Sequence, residues 1–185
     1  MPVSTMKVIS GTAKGLRLKA PRSARPTTSL VRGAVFSMLG SVEGCRVLDL
    51  YAGSGALGVE ALSRGAEHAD FVDQDAGSCA AIRHNLQYSG LEGQSVVRCT
   101  PADRALRSLE AEYDLVFVDP PYAAPGLEEL LGQMAASPLL APRAVVVAFH
   151  STRSSLPSRY DGLGLLKERR HGDTTVSIYR KGETR

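Results

Sequence analysis

The chain has 185 residues, 43% of them apolar and 22% charged, which suits one globular domain with its own core. No run approaches the roughly 18 consecutive apolar residues of a membrane span. The first residues lack the apolar centre of a secretory signal, so we expect a cytoplasmic protein. Cys45, Cys79 and Cys99 are too few and too widely spaced for a disulfide framework or a zinc cluster. We expect buried free thiols and no metal.

Basic charge is concentrated at the amino-terminal end. No Asp or Glu precedes Glu43, and residues 1–42 carry seven basic side chains, whereas the other 143 residues carry 15 basic and 19 acidic ones. Such a segment is typical of a protein that binds a polyanion, because each Lys or Arg near a phosphate releases condensed counterions. A solubilising tail is the alternative, but patterned Gly, Pro and apolar residues indicate a folded segment. We therefore predict an extension, residues 1–42, for nucleic-acid docking and a main domain, residues 43–185.

The extension itself shows two kinds of pattern. Alternating runs at residues 6–10 and 16–19, separated by a glycine-bounded turn, predict a β-hairpin. After Pro26 the apolar period becomes helical, and Thr27 or Thr28 is placed to cap the helix. Gly33 weakens that helix by roughly 1 kcal/mol relative to alanine. Its predicted apolar face consists of Leu30, Val31, Ala34, Val35, Met38 and Leu39.

From residue 46 onward strands and helices alternate. Apolar strands are predicted at residues 46–51, 68–73, 95–99, 113–119 and 143–150, with a helical segment in each interval between them. Two further runs, residues 163–171 and 174–181, have no helix between them. This order predicts an open, mostly parallel seven-stranded sheet with helices on both faces and an antiparallel pair at its end.

The first strand of the main domain ends in a glycine-rich loop, DLYAGSGALG, with Gly53, Gly55 and Gly58 in the G-x-G-x-x-G spacing. Asp73 follows Gly53 by 20 residues, at the end of the next strand, where a carboxylate can bind both hydroxyls of an adenosine ribose. NAD and S-adenosylmethionine both satisfy this pattern. Asp49 favours S-adenosylmethionine, because a carboxylate there would repel a pyrophosphate but suit the ammonium of a methionine moiety.

Asp103, after the third strand of the main domain, has two interpretations. Its carboxylate could accept a hydrogen bond from an adenine amino group, or it could cap the helix that follows.

The fourth strand of the main domain ends in Asp119, Pro120, Pro121 and Tyr122. Two successive prolines leave the sheet abruptly and fix the direction of the Pro120 carbonyl. Asp119 and that carbonyl can accept both protons of an exocyclic amine on a nucleobase while Tyr122 stacks on the ring. A surface Pro-Pro turn is the alternative, but the nearby glycine loop and Asp73 favour a catalytic site.

These residues resemble those of the RsmD family, bacterial enzymes that methylate the N2 amine of guanine 966 in 16S ribosomal RNA. The resemblance covers GTAKGLRLKAP, RPTTSLVRGAVFSML, VLDLYAGSGALGVEALSRGA, VDQD, FVDPPY and GDTTVSIYRK, in the order of the family. It implies a class I S-adenosylmethionine-dependent methyltransferase fold, Rossmann-like, in a monomer that acts on 16S rRNA or the assembling small subunit. The implied donor-binding residues are Asp49, Tyr51, Ala52, Gly53, Ser54, Gly55, Asp73, Gln74, Ala102 and Asp103. The implied catalytic residues are Asp119, Pro120, Pro121 and Tyr122.

The match to the family is incomplete after RPTT. The family has an Asp-Arg pair and a later acidic residue where this chain has Ser29, Leu30 and Gly33. We expect these three differences to affect RNA docking more than the methyl-transfer reaction. We predict RNA contacts from Lys14, Arg17, Arg25, Thr27 and Arg32.

Three alternatives remain open. The Asp-Pro-Pro-Tyr segment also suits adenine N6 in DNA or guanine N2 in tRNA. An NAD-dependent oxidoreductase would need a hydride-site acid or base, and the four histidines, His68, His84, His150 and His171, are scattered. An RNA-binding protein that kept the fold without activity is the third alternative.

Overall fold

The computed structural model describes residues 6–21, 27–122 and 125–182. They form a hairpin, five α-helices and an eight-stranded sheet. The strands are β1 (Met6–Lys7), β2 (Arg17–Leu18), β3 (Arg46–Leu50), β4 (His68–Asp73), β5 (Ser95–Cys99), β6 (Tyr113–Val118), β7 (Leu140–Ser151), β8 (Arg159–Tyr160), β9 (Leu163–His171) and β10 (Thr174–Lys181). The helices are α1 (Ser29–Leu39), α2 (Ala56–Ser63), α3 (Ala76–Ser89), α4 (Ala102–Ser108) and α5 (Leu127–Ala136).

The large sheet has the order β5-β4-β3-β6-β7-β10-β9-β8. The first five of these strands are parallel, and β10, β9 and β8 each pair antiparallel with their neighbours. The seven predicted strands are confirmed, and the two-residue β8 adds an edge strand that the sequence did not indicate. Chain order reverses at β3, which lies between β4 and β6, so ligand binding is expected beyond the carboxyl ends of these strands.

Helices cover both faces of the sheet, as predicted. One buried cluster combines the hairpin, α1, α2 and α3 with one face, and the other combines α4 and α5 with the opposite face. The central strands β3 and β6 are almost wholly buried, which explains their continuous apolar sequences.

Of the three thiols, Cys79 is buried, Cys45 is half-buried and Cys99 is exposed, so the prediction of buried thiols is wrong for Cys99. No described helix is long and apolar enough to span a membrane.

Buried polar side chains attach the hairpin to the main domain. Glu60, fully buried in α2, accepts hydrogen bonds from the backbone N–H groups of Ile9 and Ser10 at 2.7 and 3.0 Å. The Ser63 hydroxyl accepts from the Ala13 N–H and donates to the Ser10 carbonyl. If the hairpin detached from α2, these buried hydrogen bonds would all break together, which makes detachment costly in free energy. The hairpin of the extension is therefore part of the folded body, with a fixed position beside α2.

Helix α1 begins after Thr28, whose hydroxyl accepts from the Val31 N–H at 3.3 Å, so the predicted cap is confirmed. The predicted apolar face is wrong at Leu30, which is 78% exposed. Val31 and Val35 of the predicted face are buried, and Arg32 and Phe36, which were not predicted there, turn inward with them. Phe36 packs against Phe117 of β6 with a centroid distance of 5.7 Å, which fixes the rotation of the helix and leaves Leu30 in solvent.

Two glycines of the hairpin offer a matched test of its docking. Gly11 and Gly15 have nearly equal φ values, +83° and +85°, but a Cβ at Gly11 would overlap the Ser63 carbonyl, whereas none of the described atoms lies within 4 Å of one at Gly15. We expect Gly15→Ala to cost only the backbone strain, roughly 1–2 kcal/mol of unfolding free energy. Gly11→Ala should cost roughly 1–3 kcal/mol more, because the hairpin must move off α2. Urea unfolding of both variants measures the difference, and equal losses would contradict the docking.

Candidate functional site

The carboxyl ends of β3, β4 and β6 bring the predicted site residues to one edge of the sheet. Parallel pairing aligns β3 with both neighbours, so the glycine loop after β3, Asp73 at the end of β4 and Asp119 after β6 follow adjacent strands. The Asp119 N–H donates to the carbonyl of Leu50, the last residue of β3, at 3.4 Å. This sheet edge therefore holds the elements that the sequence assigned to donor binding and to catalysis.

The glycine loop is a tight turn held by its own backbone. Gly53 and Gly55 have φ values of +58° and +77°, and Tyr51 also has a positive φ, +59°. The Gly55 N–H donates to the Ala52 carbonyl at 2.7 Å, and α2 begins directly after Gly55. Glycine relieves the steric penalty that other residues meet at these angles. Gly58 has a packing role, because a Cβ there would overlap the ring of Phe71 in β4.

Asp73 organises the loop from the neighbouring strand. Its Oδ2 accepts from the Gly53 N–H at 2.8 Å, and its Oδ1 accepts from the Asp75 N–H at 2.9 Å. Each carboxylate oxygen has two lone pairs, so both retain capacity for a further donor such as a hydroxyl. Asp73 is half-buried and Gln74 is exposed, which leaves this end of β4 open to solvent.

Asp49 lies inside the protein. It is 1% exposed, and its Oδ2 accepts from the Gly58 N–H at 2.9 Å, which ties the end of β3 to the first turn of α2. Burial raises its pKa well above the usual range, and the nearby Asp119 and Asp73 carboxylates raise it further. Oδ1 has no hydrogen-bond partner among the described residues. An acceptor of this kind fits an ammonium group, but a direct contact would require the carboxyl to be uncovered first.

The remaining predicted donor-binding residues surround this loop. Helix α4 begins at Ala102 with Pro101 as its N-cap, so the alternative that Asp103 caps the helix is wrong. Asp103 is exposed and paired with Arg107 at 2.8 Å, and this bond lowers its pKa. Burial raises the pKa of Tyr51, as does the Asp103 charge, which indicates that these two side chains are close. Ala102, Ala52 and Ser54 are buried.

The segment after β6 combines a shielded carboxylate with an exposed ring. Burial raises the pKa of Asp119 to about 6, although a hydrogen bond from the Thr27 hydroxyl to its Oδ2 opposes this shift. Pro120 is buried, whereas Tyr122 is 41% exposed and its hydroxyl is hydrogen-bonded to Thr174 of β10.

A cavity of about 220 Å³ lies beside this segment. Its lining includes Pro120, Pro121, Tyr122, Phe149, His150 and Leu156. Glu128, Ser151, Ser154 and Ser155 also line the cavity, so its walls are mixed polar and apolar. Sequence reasoning missed Thr174 and the β7 residues of this wall, because their positions depend on antiparallel pairing far along the chain.

The predicted RNA-contact residues separate into three groups. Lys14 and Arg17 are exposed on the hairpin, and Arg25 lies outside the described residues. Arg32 is 0% exposed, and its guanidinium donates to the backbone carbonyls of Lys7 and Thr27. The prediction that Arg32 contacts an RNA phosphate is therefore wrong for this structure, because the group is enclosed. Thr27 is half-buried and directs its hydroxyl to Asp119.

Within residues 6–21, 27–122 and 125–182, no group of three or more His, Cys, Asp or Glu side chains is arranged to hold a metal ion.

Known proteins match this chain over nearly its whole length. A model of the family described as Conserved hypothetical protein 95 matches residues 6–180. YlbH of Bacillus subtilis (strain 168) is 40% identical over 182 residues, covering 95% of this chain and 99% of YlbH. Ribosomal RNA small subunit methyltransferase D of Escherichia coli (strain K12) is 31% identical over 179 residues, covering 95% of this chain and 90% of that protein.

Solved structures agree with these sequence matches. The structure of YhhF from Escherichia coli has a TM-score of 0.89 and 29% identity, covering 97% of this chain and 99% of that chain. A structure from Haemophilus influenzae, HI0767, has a TM-score of 0.81 and 26% identity over 97% of this chain and 99% of that chain. The chain has the class I methyltransferase fold and belongs to the RsmD family, the family described as Conserved hypothetical protein 95.

Proposed function

We propose that this protein transfers a methyl group from S-adenosylmethionine to the exocyclic N2 amine of a guanine in 16S rRNA, with guanine 966 as the position that the family resemblance implies. The observation that carries the proposal is the position of Asp119, Pro120 and Tyr122 directly after β6, beside the glycine loop of β3. The E. coli relative named ribosomal RNA small subunit methyltransferase D supports rRNA as the substrate class. We further propose that the protein acts in the cytoplasm as a monomer, on 16S rRNA or the assembling small subunit.

The donor site is assigned to the loop and its neighbours. Asp73 would bind the ribose hydroxyls, since both of its oxygens are oriented by backbone N–H groups and keep free lone pairs. The turn from Gly53 to Gly55 lets the ligand approach the backbone, and Asp49 is the nearby acceptor for an ammonium group. Tyr51, Ala52, Ser54, Gln74, Ala102 and Asp103 complete the assignment. When bound, S-adenosylmethionine supplies a sulfonium methyl group to an attacking nitrogen.

The residues after β6 would prepare that nitrogen. The lone pair of the guanine N2 amine is delocalised into the ring, which makes the amine a poor nucleophile. The Asp119 carboxylate and the Pro120 carbonyl would each accept one N–H, which favours a tetrahedral nitrogen with its lone pair free to attack. The methylated nitrogen then loses one N–H proton, through Asp119 or directly to solvent. Tyr122, with its hydroxyl held by Thr174, offers a ring on which the base stacks. Orientation of this kind can contribute roughly 7–11 kcal/mol to lowering a barrier.

Replacing the carboxylate tests the reaction. We expect Asp119→Asn to reduce methyl transfer by a factor on the order of 100 or more, because one preorganised acceptor becomes an amide. The measurement uses labelled S-adenosylmethionine, 16S rRNA or immature small subunits, and mass spectrometry of the labelled nucleoside. S-adenosylhomocysteine affinity by calorimetry should remain unchanged.

Asp161→Asn, in an exposed turn far along the chain, is the matched control and should keep full activity. Label on adenine, on tRNA or on no nucleoside would contradict the proposed substrate, and tight NADH binding would indicate an oxidoreductase. RNA binding without any methyl transfer by the unaltered protein would indicate an inactive RNA-binding protein.

The protonation state of Asp119 predicts a pH dependence of the rate. Only the ionised carboxylate accepts hydrogen bonds through both oxygens, and the pKa of Asp119 is about 6. We therefore expect single-turnover methyl transfer to be constant above pH 7 and to fall about tenfold per pH unit well below pH 6. A rate that stays constant down to pH 5 would exclude Asp119 as the ionised acceptor.

The same pKa predicts an effect on stability. A carboxyl with a folded-state pKa of about 6 and an ordinary value of 3.8 binds its proton more tightly in the folded state, so its contribution to stability falls as pH rises between these values. Asp119→Asn removes the buried charge. At pH 8 the free energy of unfolding of the variant should exceed that of the parent by at most about 3 kcal/mol. This difference should become smaller below pH 6. Urea unfolding at pH 4.5 and pH 8 measures the difference in unfolding free energy. A difference that is larger at pH 4.5 than at pH 8 would contradict the raised pKa of Asp119.

A further inference from the structure

The segment before α1 contacts the proposed catalytic carboxylate. We propose that Thr27 is a positioning residue for Asp119, that its hydroxyl fixes the orientation of the carboxylate, and that Arg32 holds Thr27 in place. The proposal rests on the proposed function and extends it, because it makes the amino-terminal extension part of the active site. It also replaces the prediction that Thr27 and Arg32 contact the RNA backbone.

The first link is the bond between Thr27 and Asp119. An ionised carboxylate only accepts hydrogen bonds, so the Thr27 hydroxyl is the donor and Asp119 Oδ2 is the acceptor. A β-branched side chain has few χ1 rotamers, which makes threonine a stiff support. With one oxygen engaged, the carboxylate is restrained about its Cβ–Cγ bond. The other oxygen is then held in one direction for an N–H of the substrate amine.

The second link is Arg32, which holds the Thr27 segment from inside. Its Nη1 donates to the Thr27 carbonyl at 3.3 Å and its Nη2 to the Lys7 carbonyl at 2.5 Å. The side chain is fully buried, and burial lowers its pKa while the Glu60 charge opposes that shift. The two carbonyl acceptors and the Glu60 charge offset part of the cost of burying this guanidinium, whose Nε has no hydrogen-bond partner among the described residues. Arg32 therefore joins β1 to the Thr27 segment, and the charge of Glu60 in α2 favours its ionised form.

The charges around Asp119 give this arrangement a measurable signature. The titratable neighbour from β3 is Asp49, whose own pKa is raised chiefly by burial and further by the Asp119 and Asp73 charges. For Asp119, burial raises the pKa and the Thr27 hydrogen bond lowers it. The hydroxyl stabilises the ionised carboxylate, so its removal makes the carboxyl harder to ionise and raises its pKa. Loss of the Thr27 hydroxyl thus shifts the titration of Asp119 upward.

The experiment compares Thr27→Val with Thr27→Ser and Thr28→Val in the full chain. Valine keeps the shape of threonine and removes the donor, serine keeps the donor, and Thr28→Val removes the neighbouring hydroxyl that caps α1. We expect Thr27→Val to lower kcat near pH 7 by roughly 10- to 100-fold, as for loss of a hydrogen bond to a charged group. It should also move the acidic limb of the pH–rate profile upward by about one pH unit.

Thr27→Ser should restore the position of the acidic limb. Thr28→Val should lower the melting temperature and leave the limb unchanged, which separates positioning from the stability of α1. Arg32→Lys keeps the charge but cannot donate to both carbonyls in the same way. We therefore expect it to move the acidic limb of the pH–rate profile upward, as Thr27→Val does. Affinity for S-adenosylhomocysteine should be unchanged in the Thr27 variants.

A second readout does not depend on methyl transfer. Carboxyl ¹³C NMR titration of Asp119 in the protein with S-adenosylhomocysteine should give a higher pKa in Thr27→Val than in the parent or in Thr27→Ser. An unchanged Asp119 titration in a folded Thr27→Val would overturn the proposal, as would loss of RNA affinity with an unmoved pH profile. If the parent protein methylates no guanine, the proposed function fails, whereas the NMR comparison still decides whether Thr27 controls the carboxyl.

Discussion

A half-buried carboxylate beside the glycine loop is the constraint on which the proposed site depends. Asp119 follows an almost wholly buried strand, and the two prolines after it prevent the chain from continuing the sheet. A charge in such a place needs a donor, and the Thr27 hydroxyl from the extension supplies it. The position of the extension and the ionisation of the carboxylate are therefore linked, although the two segments are 92 residues apart.

Three carboxyl groups lie at the carboxyl ends of three adjacent strands, and their surroundings give them different properties. Asp49 is enclosed, and its raised pKa favours a neutral carboxyl until a cation comes near it. Asp73 is partly open and receives two backbone N–H groups, which orient it towards the loop. Asp119 is half-buried, and burial raises its pKa to about 6 while the Thr27 hydroxyl donates to it. One sheet edge can thus offer separate acceptors to an ammonium, a ribose and an aromatic amine.

Periodicity in the sequence was sufficient to predict the strands, the two-sided helix layers and the loop with Asp73, because those features depend on local pattern and on the alignment of parallel strands. The burial of Arg32 could not be predicted in this way. Charged side chains are rarely buried, and only the tertiary structure brings the Lys7 and Thr27 carbonyls to the guanidinium. The predicted burial of Leu30 is wrong for the same reason, because the contact between Phe36 and Phe117 decides which face of α1 turns inward.

The rotation of α1 also explains where this chain departs from its family. Ser29 and Leu30 are exposed, and Gly33 is half-buried with Ile9 as its nearest neighbour at 3.8 Å from a Cβ position. Thr27 and Arg32 occupy the inner side, towards Asp119 and the hairpin. Changes of charge on the outer side alter what the extension presents to a polyanion without touching the bonds that reach the carboxylate. The two sides of one short segment can therefore vary independently, the outer side in its charge and the inner side in its support of the proposed catalytic carboxylate.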